Sequence, residues 1–164
     1  TQAAGRAGRG DIPGEVVVQT YKPEHYSIST AALQDYEKFY EEEKAYRKML
    51  SYPPFSHMLA VFMEAPSDDK SKELAETVHR ELRSYIEGGD RNDVVQSLKK
   101  VRIIGPCEAG IYKLADNYRR VMYIKHNSVE ILTAVKDRLE SYVDESDGLS
   151  NCYISFDLDP MRTY

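Results

Sequence analysis

Apolar positions along this chain change their period from segment to segment, and each change marks a different kind of element. Gly-Glu-Val-Val-Val-Gln-Thr-Tyr, residues 14–21, holds three valines in a row, the unbroken run of a strand buried on both faces of a parallel sheet. One strand makes no sheet, so its neighbours must come from outside this sequence. Residues 1–27 therefore read as the end of a larger α/β domain, with the chain starting inside it. From about Thr30 to Tyr52 the period lengthens: Leu33, Tyr36, Phe39, Tyr40, Tyr46, Met49 and Leu50 fall near helical spacing, with Glu41, Glu42 and Lys48 between them. That pattern predicts an amphipathic helix with room for one break. Pro53 and Pro54 end it, since neither ring nitrogen can donate and the residue before a proline disfavours the α region. Residues 28–53 are thus expected to be a helical linker, and 54–164 a separate domain.

In that last part the two periods alternate. His-Met-Leu-Ala-Val-Phe-Met-Glu-Ala, residues 57–65, reads as a strand; Ser67 or Asp68 then caps a helix with Leu74, Val78, Leu82 and Tyr85 on one face, stopped at Gly88 and Gly89. Residues 101–107 and 120–126 read as two further strands joined by a loop around Asp116 and Asn117. Asn127 with Glu130 resembles a capping box ahead of a helix carrying Leu132, Val135, Leu139 and Tyr142, and residues 152–159 supply the last strand. The order is βαββαβ. It predicts an α+β, ferredoxin-like domain in which two helices cover one face of a four-stranded antiparallel sheet, and about 110 residues suffice to bury such a core.

Composition narrows the function classes. Ordinary fractions of hydrophobic (41%) and charged (30%) residues in 164 argue for a folded globular chain. With a net charge of −5, nucleic-acid affinity cannot come from bulk charge and needs a local basic patch. Such a patch exists in sequence: between residues 101 and 126 Arg102, Lys113, Arg119, Arg120 and Lys125 outnumber Glu108 and Asp116, whereas residues 140–159 carry six carboxylates and no Lys or Arg. Cys107 and Cys152 form no CxxC pattern, and His25, His57, His79 and His126 show no metal-ligand spacing. The first residues lack the apolar stretch of a signal peptide, and no run is long enough to span a bilayer. The simplest expectation is a reduced, cytoplasmic protein without a membrane partner.

Two stretches carry candidate chemistry. In Thr-Gln-Ala-Ala-Gly-Arg-Ala-Gly-Arg-Gly, residues 1–10, Gln2, Arg6 and Arg9 stand at i, i+4 and i+7, on one face of a helix. Each helical glycine between them costs roughly 1 kcal/mol relative to alanine, which close approach to a phosphate would offset, because guanidinium matches phosphate oxygens as a fork. An unstructured Arg/Gly arm would use the same residues. The second stretch, Ile-Tyr-Lys-Leu-Ala-Asp-Asn-Tyr-Arg-Arg-Val-Met-Tyr-Ile-Lys-His at 111–126, interleaves Lys113, Arg119, Arg120 and Lys125 with Tyr112, Tyr118 and Tyr123. That mixture pairs phosphate charge with rings that stack on bases. It equally suits a half-exposed strand whose tyrosines pack on one side.

Residues 1–10 resemble motif VI of superfamily 2 helicases, Gln-x-x-Gly-Arg-x-Gly-Arg, which faces the cleft between two RecA-like lobes. With Gly-Glu-Val-Val-Val-Gln-Thr-Tyr-Lys-Pro-Glu-His-Tyr after it, residues 39–61 and the terminal Asp-Leu-Asp-Pro, essentially the whole chain resembles the C-terminal part of the primosomal protein N′ family of replication-restart helicases. The resemblance implies an ATP-dependent 3′ to 5′ DNA helicase that recognises stalled forks and assembles the primosome, with residues 1–27 the remnant of the second RecA-like lobe. It implies that Arg9 is the arginine finger at the γ-phosphate, that Arg6 assists at the phosphates or links the lobes, and that Gln2 couples nucleotide state to lobe closure. It implies ATP and Mg²⁺ in the full-length protein, zinc held upstream, and contact of the last domain with branched fork DNA, single-stranded DNA, the acidic tail of single-stranded DNA-binding protein and other primosome proteins. Lys113, Tyr118, Arg119, Arg120 and Lys125 are the expected DNA contacts. The chain itself holds no G-x-x-x-x-G-K-[ST] loop and no D-E-x-H box, so alone it is expected not to hydrolyse ATP or bind a cofactor. A stand-alone ferredoxin-like module for nucleic acid or protein is the alternative, and upstream sequence would decide between them.

Overall fold

The computed structural model describes residues 15–88, 97–146, 149 and 151–161. Gln2, Arg6 and Arg9 lie outside them. The chain divides into two compact units, Thr1–Leu50 and Ser51–Tyr164, and among the described residues four helices and four strands form an α+β protein.

In the first unit, α1 (Tyr26–Ala32) and α2 (Tyr36–Met49) replace the single helix of the hydropathy pattern. The break is local chemistry. Gln34 takes a left-handed φ of 54°, which ends α1, and the Asp35 side chain then accepts the Lys38 N–H at 2.9 Å to cap α2. Across the break the Tyr26 hydroxyl donates to Glu43, whose other oxygen accepts Arg47 Nε at 2.6 Å. The strand expected over the valines is not formed. Residues 15–20 carry no regular structure and Val17 is 84% exposed; a strand exists only through ladder partners, and this unit has no strand among its described residues to offer one.

The second unit runs β1 (His57–Ala65), α3 (Asp68–Glu87), β2 (Arg102–Leu114), β3 (Asn117–His126), α4 (Val129–Asp144), β4 (Tyr153–Leu158). All neighbours pair antiparallel, in the order β2-β3-β1-β4. Central β1 is apolar at almost every position because both its faces are covered. Leu59, Val61 and Met63 meet Leu74, Val78 and Leu82 of α3 and Leu132, Val135 and Leu139 of α4, while Ala60 and Phe62 meet Ala109 and Val121 on the opposite side.

Helix ends follow from single side chains. Ser67 accepts the Lys70 N–H at 3.3 Å to start α3. For α4 the cap is Ser128, not Asn127: its hydroxyl oxygen accepts the Ile131 N–H at 3.3 Å and donates to Glu130 at 2.6 Å, so the cap sits one residue later than the sequence spacing suggests and, with Ile131 three residues on, the expected capping box is not formed. Strand β2 also outruns expectation, continuing past Cys107 to Leu114 through irregularities between Ile104 and Cys107 and between Glu108 and Lys113. Gly105 occupies the first of these at φ 92°, where a Cβ would come within 3.0 Å of the Val121 carbonyl oxygen. The hairpin closes through Ala115 and Asp116, both at positive φ (48° and 63°), the mirror-image turn whose twist matches the strands it joins.

Candidate nucleic-acid interface

The β2–β3 hairpin carries all five residues expected to touch DNA, and the structure gives them three different surroundings. At its tip, Lys113 Nζ lies 3.4 Å from Asp116 Oδ1 and 5.0 Å from the centre of the Tyr118 ring, and Tyr112 meets Tyr118 edge-on at 5.4 Å. Lys113 is about half exposed (48%) and Asp116 almost wholly so (98%). An ion pair that open to water contributes little, so the ammonium remains available to a phosphate, with Tyr118 beside it to stack on a base.

Arg119 and Arg120 follow in sequence and therefore point to opposite faces of the sheet. Each is tied to a carboxylate. Arg119 Nε donates to Glu64 Oε1 at 2.9 Å, the two residues standing directly opposite in the β1–β3 register, and its guanidinium lies 6.0 Å from the centre of the Phe62 ring. Arg120 Nε donates to Ser71 Oγ at 3.1 Å and Nη2 to Asp68 Oδ1 at 2.7 Å, joining β3 to the first turn of α3. Asp68 is held below the usual carboxylate range by hydrogen bonds from the Tyr112 hydroxyl and from Arg120. The same contact pushes Tyr112 up to about 12, since the phenol proton is held against a carboxylate. A phosphate reaching either arginine would meet a guanidinium whose charge is already shared with a carboxylate.

Lys125 sits at the other end of β3, 5% exposed, with Nζ 3.4 Å from the centre of the Tyr52 ring. It lines a hollow of about 370 Å³ together with Ser51, Ser56, Ser97, Lys100, Arg102, His126, Asn127 and Ser128. Three elements converge there: the start of β2, the end of β3 and the N-terminus of α4. Arg102 and Lys125 are register partners, two cations directly opposite across the ladder. Burial lowers the Lys125 ammonium below the ordinary lysine range and the Arg102 charge adds to that shift. The Ser128 N–H donates to His126 Nδ1 at 3.0 Å. Sequence reasoning counted Arg102 in the basic segment but assigned it no role, and it missed Lys100, His126 and Ser128. The one signal for them was the local excess of charge, because only the register brings residues 100–102 beside 125–128.

Among the described residues no three His, Cys, Asp or Glu side chains gather where a metal could be held, and no helix is long and apolar enough to cross a membrane.

The primosomal protein N C-terminal domain matches residues 48–161. The chain is 35% identical to replication restart protein PriA of Bacillus subtilis over 161 residues, covering 98% of this chain and 18% of that protein. Its identity is 30% to the PriA protein of Chlamydia pneumoniae and 32% to that of Chlamydia trachomatis, in each case covering 100% of this chain and 20% of the relative. The chain thus spans about one fifth of the length of the curated relatives it matches.

Proposed function

Because the chain belongs to the family of primosomal protein N C-terminal domains, we propose that it is the C-terminal portion of an ATP-dependent 3′ to 5′ DNA helicase that recognises stalled replication forks and restarts replication by assembling the primosome. The observation that carries this is the family match over residues 48–161, together with relatives named as replication restart proteins that align with nearly the whole chain. Residues 1–27 are then the end of the second RecA-like lobe, 28–53 the linker, and 54–164 a split βαβ, ferredoxin-like domain. The antiparallel order β2-β3-β1-β4 supports that last assignment.

On this reading the full-length protein binds ATP and Mg²⁺ through residues upstream and holds zinc there, and works in the bacterial cytoplasm with fork DNA, single-stranded DNA, single-stranded DNA-binding protein and other primosome proteins. Gln2, Arg6 and Arg9 face the nucleotide, with Arg9 supplying positive charge where the phosphoryl-transfer transition state develops negative charge. Such a finger is worth about 10³ to 10⁵ in rate. The second unit contacts DNA through Lys113 and Tyr118 at the hairpin tip and through Lys125 at the hollow. Arg119 and Arg120, already paired with Glu64 and Asp68, hold the strand that presents them.

In the full-length protein, Arg9→Ala abolishes DNA-stimulated ATP hydrolysis and leaves nucleotide binding largely intact. Near-normal turnover of that variant refutes the assignment.

A further inference from the structure

The two strands of the hairpin are not equally well fixed near its tip. On β3, Tyr118 stands opposite Ala65 of β1, so that strand is held by the sheet almost to the turn. On β2 the register is interrupted: Glu108 pairs with Arg120 and Lys113 with Tyr118, so residues 109–112 lie against Arg119 alone. Extra residues of this kind leave a ladder locally disrupted. Two side chains anchor the interrupted segment. Ala109 is buried with Ala60 and Val121 on one face of the sheet. The Tyr112 hydroxyl donates to the Asp68 carboxylate, on the first residue of α3. That carboxylate is itself well held. Its Oδ1 accepts Arg120 Nη2 at 2.7 Å, while the Ser71 hydroxyl accepts Arg120 Nε at 3.1 Å and donates to the Asp68 carbonyl oxygen at 2.8 Å. Ser71 is 0% exposed, and the turns of α3 that follow seat Leu74, Val78 and Leu82 in the core. Asp68 thus takes a hydrogen bond from each strand of the hairpin at the first turn of a firmly packed helix.

We propose that Tyr112 and Asp68 are positioning residues for the hairpin tip: their hydrogen bond fixes the β2 side of the tip, so that Lys113 reaches a DNA phosphate while Tyr118 lies beside it. The inference rests on the reading of Lys113 and Tyr118 as DNA contacts and deepens it. Three observations support it. Tyr112 adjoins Lys113 in sequence, so a shift of one backbone segment carries the other with it. The Tyr112 ring meets Tyr118 edge-on at 5.4 Å, and Lys113 Nζ stands 5.0 Å from the centre of the same Tyr118 ring; the three side chains form one cluster whose tie to the body of the domain is the Tyr112 hydroxyl on Asp68. A hydrogen bond from a phenol to an ionised carboxylate is stronger than a neutral one and directional, which suits it to holding a strand where its ladder is interrupted. The ion pair of Lys113 with Asp116 cannot supply the same restraint, because Asp116 is 98% exposed and belongs to the turn itself. A tip released from Asp68 would carry that pair along.

The test is a double-mutant cycle on the whole 164-residue chain, with Tyr112→Phe and Lys113→Met made singly and together and fork-DNA binding followed by fluorescence anisotropy. Phenylalanine keeps the ring against Tyr118 and removes only the hydroxyl. In the chain with Tyr112, Lys113→Met weakens binding roughly fivefold, the scale of one charge-assisted contact. In the Tyr112→Phe background the same substitution weakens it by less than about twofold, because the misplaced lysine has little left to lose. Amide hydrogen exchange at residues 111–116 is faster in Tyr112→Phe and unchanged in Lys113→Met. Equal effects of Lys113→Met in the two backgrounds overturn the positioning role and leave the DNA-binding reading standing, since a tyrosine that serves stability alone, or one that touches DNA independently, gives additive losses. If Lys113→Met leaves binding unchanged in both backgrounds, the DNA-binding reading of the tip falls. Exchange then decides the rest: faster exchange at 111–116 in Tyr112→Phe supports the restraint by Asp68, and unchanged exchange overturns it.

Discussion

Replacing Arg119 with methionine separates a structural arginine from a DNA-binding one. Methionine keeps most of the aliphatic stem and removes the charge. The main loss is the charge-assisted bond to Glu64 at 2.9 Å, with the weaker contact of the guanidinium, 6.0 Å from the centre of the Phe62 ring. A fully exposed cross-strand ion pair is worth about 0.2–1 kcal/mol, and stripping one partner from a fully buried pair costs about 3–5 kcal/mol. Arg119 and Glu64 are 17% and 27% exposed, nearer the buried end but wet enough for water to take over part of the carboxylate. The expected destabilisation is therefore about 1.5 kcal/mol, close to the lower bound for a hydrogen bond to a charged group. Urea unfolding followed by circular dichroism reads it as a lowered midpoint with an unchanged m-value. Glu64→Gln in the same background costs less than it does alone, because the pair is already broken. Lys113→Met is the comparator. With its side chain 48% exposed and its partner 98% exposed, it changes stability by less than about 0.5 kcal/mol, yet weakens fork-DNA binding and lowers the salt slope by about one. If Arg119→Met leaves the urea midpoint in place and weakens fork DNA as Lys113→Met does, Arg119 is a phosphate ligand and the geometric argument is wrong.

Two further outcomes follow from depth and charge. Leu132 is 0% exposed between α4 and the sheet, so Leu132→Ala costs about 2–5 kcal/mol; a urea midpoint close to that of the unaltered chain would mean that α4 does not seat as described. Tyr112 is raised from 10.0 to about 12 by its bond to Asp68, and a raised folded value means that the neutral form contributes stability that is whole below pH 10.0 and lost as pH climbs through about 12. Over that window the unaltered chain loses its stability advantage over Tyr112→Phe. Urea midpoints for the two proteins that stay the same distance apart from pH 9 to 12 would show that the phenol proton is not shared with Asp68.

What the sequence revealed and what it hid divide along local and non-local physics. Strand β1, helix α3 and strand β4 were legible because their side chains repeat with a period set by their own backbone. Strand β2 was cut short at Cys107 because the irregularities after Ile104 and Glu108 break the alternation a reader follows, although the ladder resumes at Lys113. The cap of α4 was placed one residue early because Asn127 and Ser128 are both good caps, and only the backbone selects the one whose oxygen reaches the Ile131 N–H. The valines are a different case. A run of β-branched residues describes a strand's preferred surroundings, and residues 15–20 have no such surroundings among the described residues.

The basic residues of the hairpin show the same division at the level of function. Composition could say that residues 101–126 are positive, but it could not distinguish cations spent on structure from cations left for a ligand. Adjacency alone sends Arg119 and Arg120 to opposite faces; that each then meets a carboxylate depends on Glu64 and Asp68, which lie 55 and 52 residues earlier. Across the ladder Lys125 stands opposite Arg102, and the register that sets them together is shifted by the irregularities following Ile104 and Glu108, so no spacing rule in the sequence pairs them. Charge neutralised inside the fold contributes to folding and gives a polyanion little to gain. The useful distinction among these cations is therefore between Arg119 and Arg120, each held by a carboxylate at a largely buried position, and Lys113, whose ion pair with Asp116 lies open to water.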